Sequence, residues 1–308
     1  MFTLLAASAV IFTVLDVLPG NAAEVMLGES ATPESLAALS AKLGLDRPAL
    51  VRYGDWMKGL ATGELGTSNT YGTPIGELVA ERLLVTLPLA LMAMTLTTAL
   101  AFVLGLFAAS RHGKAGDVGI MAVSQVGIAI PGFWFAILLI LVFSVKLRWF
   151  SAGGFPGWSA EDGGGAGPAL RALVLPAVAI AVVQAAILTR IVRSAVLEVL
   201  REDFVRTARA KGQSPRGVLW GHVLRNAMVP VLTVMGLQFA SLLAGTVVIE
   251  QVFSLPGLGR LVFQAIGNRD LLVVRNVVML LAAAVVVINF AVDVLYVVID
   301  PRLRARAA

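Results

Sequence analysis

Six apolar runs set the terms on which this chain can fold: Phe2 to Leu18, Leu83 to Ala109, Val118 to Val145, Ala172 to Leu188, Ala227 to Ile249 and Val277 to Ile299. A hydrocarbon core of roughly 30 Å takes about 20 helical residues, and each run meets that requirement, with tilt absorbing the excess in the longer ones. The middle four contain no Asp, Glu, Lys or Arg. The first holds only Asp16 and the last only Asp293, and each acid is expected to face protein or water. Strands of a membrane barrel are about 10 residues long and alternate in polarity, so runs of this length predict helices. Composition agrees: charged residues are 14% of the chain, against about a quarter in soluble domains, and the mean hydropathy is +0.88. The expected class is an all-α membrane protein with six transmembrane helices. Cysteine is absent, which excludes disulfides, thiolate metal sites and cysteine nucleophiles. The first run, followed by "PGNAA", resembles a signal peptide in length. No Lys or Arg precedes Lys42, however, so the basic leader region is missing and a retained helix is the preferred reading.

Six spans put both ends on one side, and Lys and Arg in the short loops decide which side that is. The loops Ser110 to Asp117 and Thr189 to Asn226, together with the tail from Asp300, carry thirteen; the opposite short loops, Lys146 to Arg171 and Glu250 to Asn276, carry six. The termini are therefore expected in the cytoplasm of a prokaryotic inner membrane. The expected organisation is a first helix (1–19), an extracytoplasmic helical segment (20–82), a five-helix core (83–299) with a cytoplasmic loop over 192–226, and a cytoplasmic tail (300–308). Within the second part, "ESLAALSAKLGL", "ALVRYGDWMKGL" and "PIGELVAERLL" show helical apolar spacing. The glycines of "EDGGGAG" predict a flexible connection further on.

The cytoplasmic loop carries the densest charge, "REDFVRTARAKG", from Arg201 to Gly212. Asp203 reads as the N-cap of a short helix over Phe204 to Lys211, Gly212 as its left-handed stop, and Ser214 with Pro215 as the start of the next helix. Phe204, Val205 and Ala208 gather on one side of it and Arg206, Arg209 and Lys211 spread over the rest. Such a helix either rests on anionic headgroups or docks in a groove of a cytoplasmic partner.

The sequence resembles a known family here. "RTARAKG", with "HVLRNAMVP" ten residues on, is similar to the EAA loop of ABC importer permeases in its dipeptide, oligopeptide and nickel variant. "LGLDRPALVRYGDWMKGL", "GELGTS", "ERLLVTLPLAL", "IPGFWFAILLILVFSV", "EQVFSLPGLGRL" and "NFAVDVLYVVIDPRLR" extend the resemblance over residues 10 to 305. It implies a type I importer fold in which this chain pairs with a second, homologous permease on two ABC ATPases, with cargo delivered by an extracytoplasmic solute-binding protein. The ATPases would use ATP and Mg; this chain would bind no cofactor or metal of its own and catalyse nothing. Lipid is its other contact, and no nucleic acid is expected. By position Asp203, Arg206, Thr207, Ala208, Arg209, Lys211 and Gly212 match the coupling helix, which sits in a groove of the ATPase. Two departures stand out: Arg206, Thr207 and Ala208 occupy the Glu-Ala-Ala positions, and the closing Ile-x-Leu-Pro corresponds to His222, Val223, Leu224 and Arg225, with Pro230 later. Both favour the peptide branch. Members usually begin with a basic segment, so on the resemblance this N-terminus is expected to be short or trimmed. The expected cargo is a peptide, with glutathione, opines or a nickel chelate as alternatives within the family.

The residues themselves leave other classes weaker. No G-x-x-x-x-G-K-[ST] occurs, and Gly113-Lys114 is followed by Ala115, so the energy comes from another chain or from an ion gradient. A secondary transporter would place ionisable groups near the bilayer midplane, whereas Asp16 and Asp293 lie near run ends. Asp293, with Asn289 and Tyr296, reads as an anchor of the last helix, and Arg190 and Arg193 read as interfacial. An intramembrane enzyme lacks its usual motifs. Gln125, Gln184 and Gln238 either line the translocation path or bond between helices. Phe253, Pro256, Gly257 and Gly259 form an outer loop with a tight turn, near the external gate on the resemblance. Gly236, Ala240, Ala244 and Gly245 make a small-residue ridge that packs internally or meets the partner permease. Pro88 and Pro131 fall inside runs and are expected to kink them.

Overall fold

The computed structural model describes residues 2–17, 22–28, 31–42, 44–161 and 163–299, and the described residues are helical apart from turns and one isolated bridge between Thr67 and Pro74. In chain order the helices are α1 (Phe2–Val17), α2 (Ala22–Leu27), α3 (Pro33–Lys42), α4 (Ala49–Thr62), α5 (Ile75–Ser110), α6 (Ala115–Ala129), α7 (Gly132–Leu139), α8 (Ala166–Val199), α9 (Asp203–Ala210), α10 (Pro215–Val218), α11 (Leu224–Val252), α12 (Leu258–Gly267) and α13 (Leu271–Ile299). Two π-helical segments extend this pattern: Ile140–Lys146 continues α7, and Leu219–Val223 joins α10 to α11. Tail residues 300–308 and the side chains of Asp293 and Tyr296 lie outside the described residues.

Among the described residues four helices are long and apolar enough to cross a membrane: α5, α8, the continuous helix from Pro215 to Val252, and Leu271–Val292 of α13. The run expected as a third span is broken: α6 and the helix from Gly132 to Lys146 meet at 101° and together qualify as one bent span. Pro131 is the cause. Its ring disfavours the helical conformation of the preceding residue, and Ile130 is extended (φ −81°, ψ 124°). Pro131 therefore ends a helix, whereas Pro88, Pro176 and Pro230 lie inside unbroken ones. The 16-residue α1 has a rise of about 24 Å. The spacing of "PIGELVAERLL" belongs to the first turns of α5, so this segment is not a separate helix.

The chain forms two compact units. The first comprises Met1–Thr86 and Pro256–Val286. Ile75, Leu78 and Val79 of α5 pack there with Leu258, Leu261 and Val262 of α12, and Phe12, Trp56 and Met279 form a second cluster. The buried Asp270 ties the turn after α4 to the start of α13: its Oδ2 accepts from Ser68 Oγ (2.6 Å) and Thr70 N (3.0 Å), and its Oδ1 accepts from Val273 N (3.3 Å). Asp16 finds the partner its position demanded, Arg52 at 2.7 Å.

The second unit comprises Leu87–Leu255 and Val287–Ala308 and is centred on α8, which packs against α6, α7 and α11. Small residues let the helices close up. A Cβ on Gly105 would meet Val192 at 2.8 Å, and one on Gly236 would meet Val292 Cγ1 at 2.5 Å. The small-residue ridge is thus divided: Gly236 packs internally, while Ala244 and Gly245 lie on an exposed stripe of α11 with Leu237, Ser241 and Val248. Among the glycines of "EDGGGAG", Gly165 at φ +115° caps α8, and Gly164 sits so close to Pro156 and Gly157 that no Cβ fits. That segment makes a packed approach, where a flexible link was expected.

Candidate functional site

The charged segment folds as a helix set between two stops in the backbone. Helix α8 ends in a turn at Leu200 and Arg201; α9 follows, its carboxyl end closed by Gly212 at φ +82°, a conformation that other residues adopt only at a cost. Ser214 then caps α10, its Oγ accepting from Gly217 N at 3.2 Å, with Pro215 in the first turn. The expected stop and restart are both present. The start is shifted: Glu202 occupies the cap position with extended backbone and Asp203 is the first helical residue, so Asp203 does not cap. Its carboxylate faces Arg206 at 3.4 Å, fully in solvent.

The two faces of α9 separate cleanly. Val205 and Ala208 are buried in the core of the second unit with Leu188, Val192, Val196 and Val223, and burial of the valine alone is worth about 2 kcal/mol. Phe204, expected on that edge, is 41% exposed. It stands on the outer face with Arg206, Thr207, Arg209 and Lys211. The apolar edge of α9 is spent inside the protein, and what it presents outward is a cationic rim around one aromatic ring. Trp220, 63% exposed on the π-helical segment after α10, adds a second ring to the same loop and was not singled out by the sequence pattern.

Behind the loop lies an ion cluster that sequence reading also missed. Arg193 of α8 holds Asp117 of α6 bidentately, Nε to Oδ1 at 2.5 Å and Nη2 to Oδ2 at 2.7 Å. Gly113 N donates to the same carboxylate at 2.9 Å, and His112 Nδ1 stands 3.3 Å from it. The Asp117 side chain is 4% exposed, so Arg193, expected at the interface, is instead an internal tie between α6 and α8. No signal could have found this pair, because its members are 76 residues apart and neither sits in a motif. An open cleft of about 520 Å³ adjoins it, lined by His112, Arg193, Glu198, Arg201, Glu202 and Asp203. Its lining mixes acidic and basic side chains.

The remaining candidates separate. Gln238 is buried on α11 and donates from Nε2 to the Gln184 carbonyl at 3.1 Å, leaving its own Oε1 buried without a partner. Gln125 is exposed on α6. Phe253 is buried, and its carbonyl accepts from Gly154 N at 2.9 Å. Pro256, Gly257 and Gly259 belong to the first unit, where Gly257 is the extended cap of α12 and Gly259 is within that helix. The tight turn expected of these glycines is made at Ser254, φ +52°. Among the described residues no cluster of three or more acidic or imidazole side chains could hold a metal.

Comparison with known proteins accords with this architecture. The model of the family described as binding-protein-dependent transport system inner membrane component matches residues 101–305, and that of its N-terminal region matches residues 1–90. The chain is 40% identical over 310 residues to the di/tripeptide transport system permease protein DppB of Pseudomonas aeruginosa (strain UCBPP-PA14), covering 95% of this chain and 92% of that one. It is 38% identical over 301 residues to the oligopeptide transport system permease protein AppB of Bacillus subtilis (strain 168), covering 97% and 95%. Among solved structures, a chain of the inward facing MetNI methionine ABC transporter matches in fold with a TM-score of 0.58 at 19% identity, covering 72% of this chain and 96% of that one. Four apolar spans, a bent fifth, the loop that carries α9 and these matches together make the chain a multi-pass inner membrane protein of type I importer fold, and it belongs to the binding-protein-dependent transport system inner membrane component family, alongside its peptide transport permeases.

Proposed function

We propose that the chain is a permease subunit of an ATP-driven importer of small peptides, and that α9 is the element through which partner ATPases drive it. The observation that carries the reading is the division of α9 into a buried edge, Val205 and Ala208, and an exposed cationic face. A helix anchored on headgroups would turn its apolar edge to lipid. This one has no apolar edge left to offer, and its exposed ring and guanidinium groups suit a protein groove. Force applied to Arg206, Arg209 or Lys211 reaches α8 through the packed Val205, and α6 through the Arg193 to Asp117 pair.

The loops at α9, at residues 110–115 and in the tail face the cytoplasm on this reading, and residues 20–82 lie outside. Two ABC ATPases hydrolyse ATP with Mg, a second permease meets the exposed stripe of α11 around Ala244 and Gly245, and a solute-binding protein delivers the cargo. Gln184 and Gln238 contribute uncharged polar groups beside the path on this reading, joined by the hydrogen bond from Gln238 Nε2 to the Gln184 carbonyl. Phe253 belongs to the external gate. The relatives named for di/tripeptide and oligopeptide transport support a peptide cargo. The test is recovery of the tagged chain from gently solubilised native membranes with its partners identified by mass spectrometry. Co-purification of a second permease and one or two ATPases is the expected result. Recovery of the chain alone, in a detergent that preserves other membrane complexes, would favour a self-contained transporter.

A further inference from the structure

The first unit holds a second charged cleft that the coupling role does not use, about 250 Å³ in volume and bordered by α1, α4 and the start of α13. Among the described residues three guanidinium groups line it, Arg47, Arg52 and Arg275, and two carboxylates, Asp16 and Asp55. Both carboxylates are already taken: Arg47 pairs with Asp55 and Arg52 with Asp16, each at 2.7 Å. Among the described residues Arg275 makes no salt bridge, and its Nε is buried without a hydrogen-bond partner there.

The group is also held in place. Its guanidinium lies 5.5 Å from the centre of the Trp56 ring. That ring stacks on Phe12 at 6.1 Å, and Arg52 covers Phe12 at 5.8 Å, so two stacked rings lie between two cations. Trp56 is fixed in turn, because its Nε1 donates to Asn276 Oδ1 at 2.8 Å while Asn276 Nδ2 donates to the carbonyls of Leu65 and Leu272, both at 2.9 Å. A planar cation locked by stacking, with donors unspent, loses little entropy on binding and matches a carboxylate in fork geometry.

We propose that this cleft binds one free carboxylate of a small ligand, its oxygens accepting from the Arg275 guanidinium, which would also offset the excess of guanidinium over carboxylate groups among the described lining residues. A volume near 250 Å³ admits a single amino-acid-sized group, such as the carboxyl end of a peptide. This rests on the peptide-importer reading for its choice of ligand, but not for its test, which needs neither ATPase nor transport.

The experiment labels the five tryptophans of the purified chain in nanodiscs with 5-fluorotryptophan and assigns the Trp56 resonance by its loss in Trp56→Phe. The dipeptide Ala-Ala, titrated in chloride buffer, is expected to shift that resonance saturably, and Ala-Ala amide is expected to leave it in place. Arg275→Gln removes the shift and Arg275→Lys weakens it, with the other four resonances unmoved as a check on folding. Equal shifts with acid and amide, or an undiminished shift in Arg275→Gln, would overturn the proposal. A shift produced by the unliganded solute-binding protein and not by the dipeptide would overturn it too, and would give the cleft to that partner. Failure here alongside a co-purifying ATPase would leave the importer reading intact.

Discussion

Arg193 and Asp117 close a bidentate pair between α8 and α6, with the carboxylate almost wholly shielded from water and its Oδ2 also accepting from the backbone N–H of Gly113 in the turn before α6. Arg193 also lines the cleft at the foot of α9, beside Glu202 and Asp203. Removing one partner strands a charge that the fold has already desolvated, at a cost on the order of 3 kcal/mol. Arg193→Gln and Asp117→Asn are therefore expected to lower the thermal unfolding midpoint of the purified chain. Arg193→Lys should recover only part of the loss, because an ammonium cannot supply the fork. Midpoints equal to that of the parent chain would show the pair to be dispensable.

Gly212 ends α9 at φ +82°, in open space with nothing within 4 Å of where a Cβ would sit. The obstacle to a side chain there is backbone conformation and not crowding. Gly212→Val is expected to cost about 1–2 kcal/mol and to misdirect the loop, while Gly212→Asn, which tolerates the left-handed region, is expected to cost less. Uptake assays on both variants check the order. Equal losses would mean that bulk, and not φ, is what the position forbids.

Gly236 makes the opposite kind of demand. Its α conformation suits any residue, but a Cβ would stand 2.5 Å from Val292 Cγ1. Gly236→Ala is expected to lower stability by about 1–3 kcal/mol, as overpacking does, and Val292→Ala in the same chain is expected to return part of it. Additive losses in the double variant, read from thermal midpoints, would exclude the contact.

Much of this arrangement was legible in the sequence, and the exceptions share a cause. The spans announce themselves because lipid leaves a backbone no choice but to bond within its own helix. The stop at Gly212 and the restart at Ser214 and Pro215 were readable because left-handed backbone and helix caps select few residue types. The outward turn of Phe204 was not, since eight residues of helix leave two possible edges and tertiary packing chose Val205 and Ala208. Pro131 was seen as a kink, but whether a proline bends a helix or ends it depends on whether neighbours can satisfy the freed backbone. Asp117 with Arg193, Asp270 with Ser68, and Arg275 over Trp56 escaped for a simpler reason: each joins positions far apart in the chain, where composition and spacing are silent.

The sign of the rim on α9 supplies a direct perturbation. Arg209→Glu inverts one exposed charge and touches no packed residue. The variant is expected to insert and to unfold at the parent temperature, yet to lose peptide uptake by at least about tenfold, the equivalent of 1.4 kcal/mol of coupling. Uptake at the parent rate would remove Arg209 from the interface.

The absence of cysteine gives the central claim its sharpest test, because a single Arg206→Cys introduces the only thiol in the chain. With the complex in native membranes, a short bifunctional thiol-to-amine reagent at that position is expected to join the permease to an ATPase subunit in a product that mass spectrometry identifies. A thiol that labels fully with a soluble maleimide but yields no ATPase adduct would contradict the assignment of α9 as the element that couples nucleotide hydrolysis to transport.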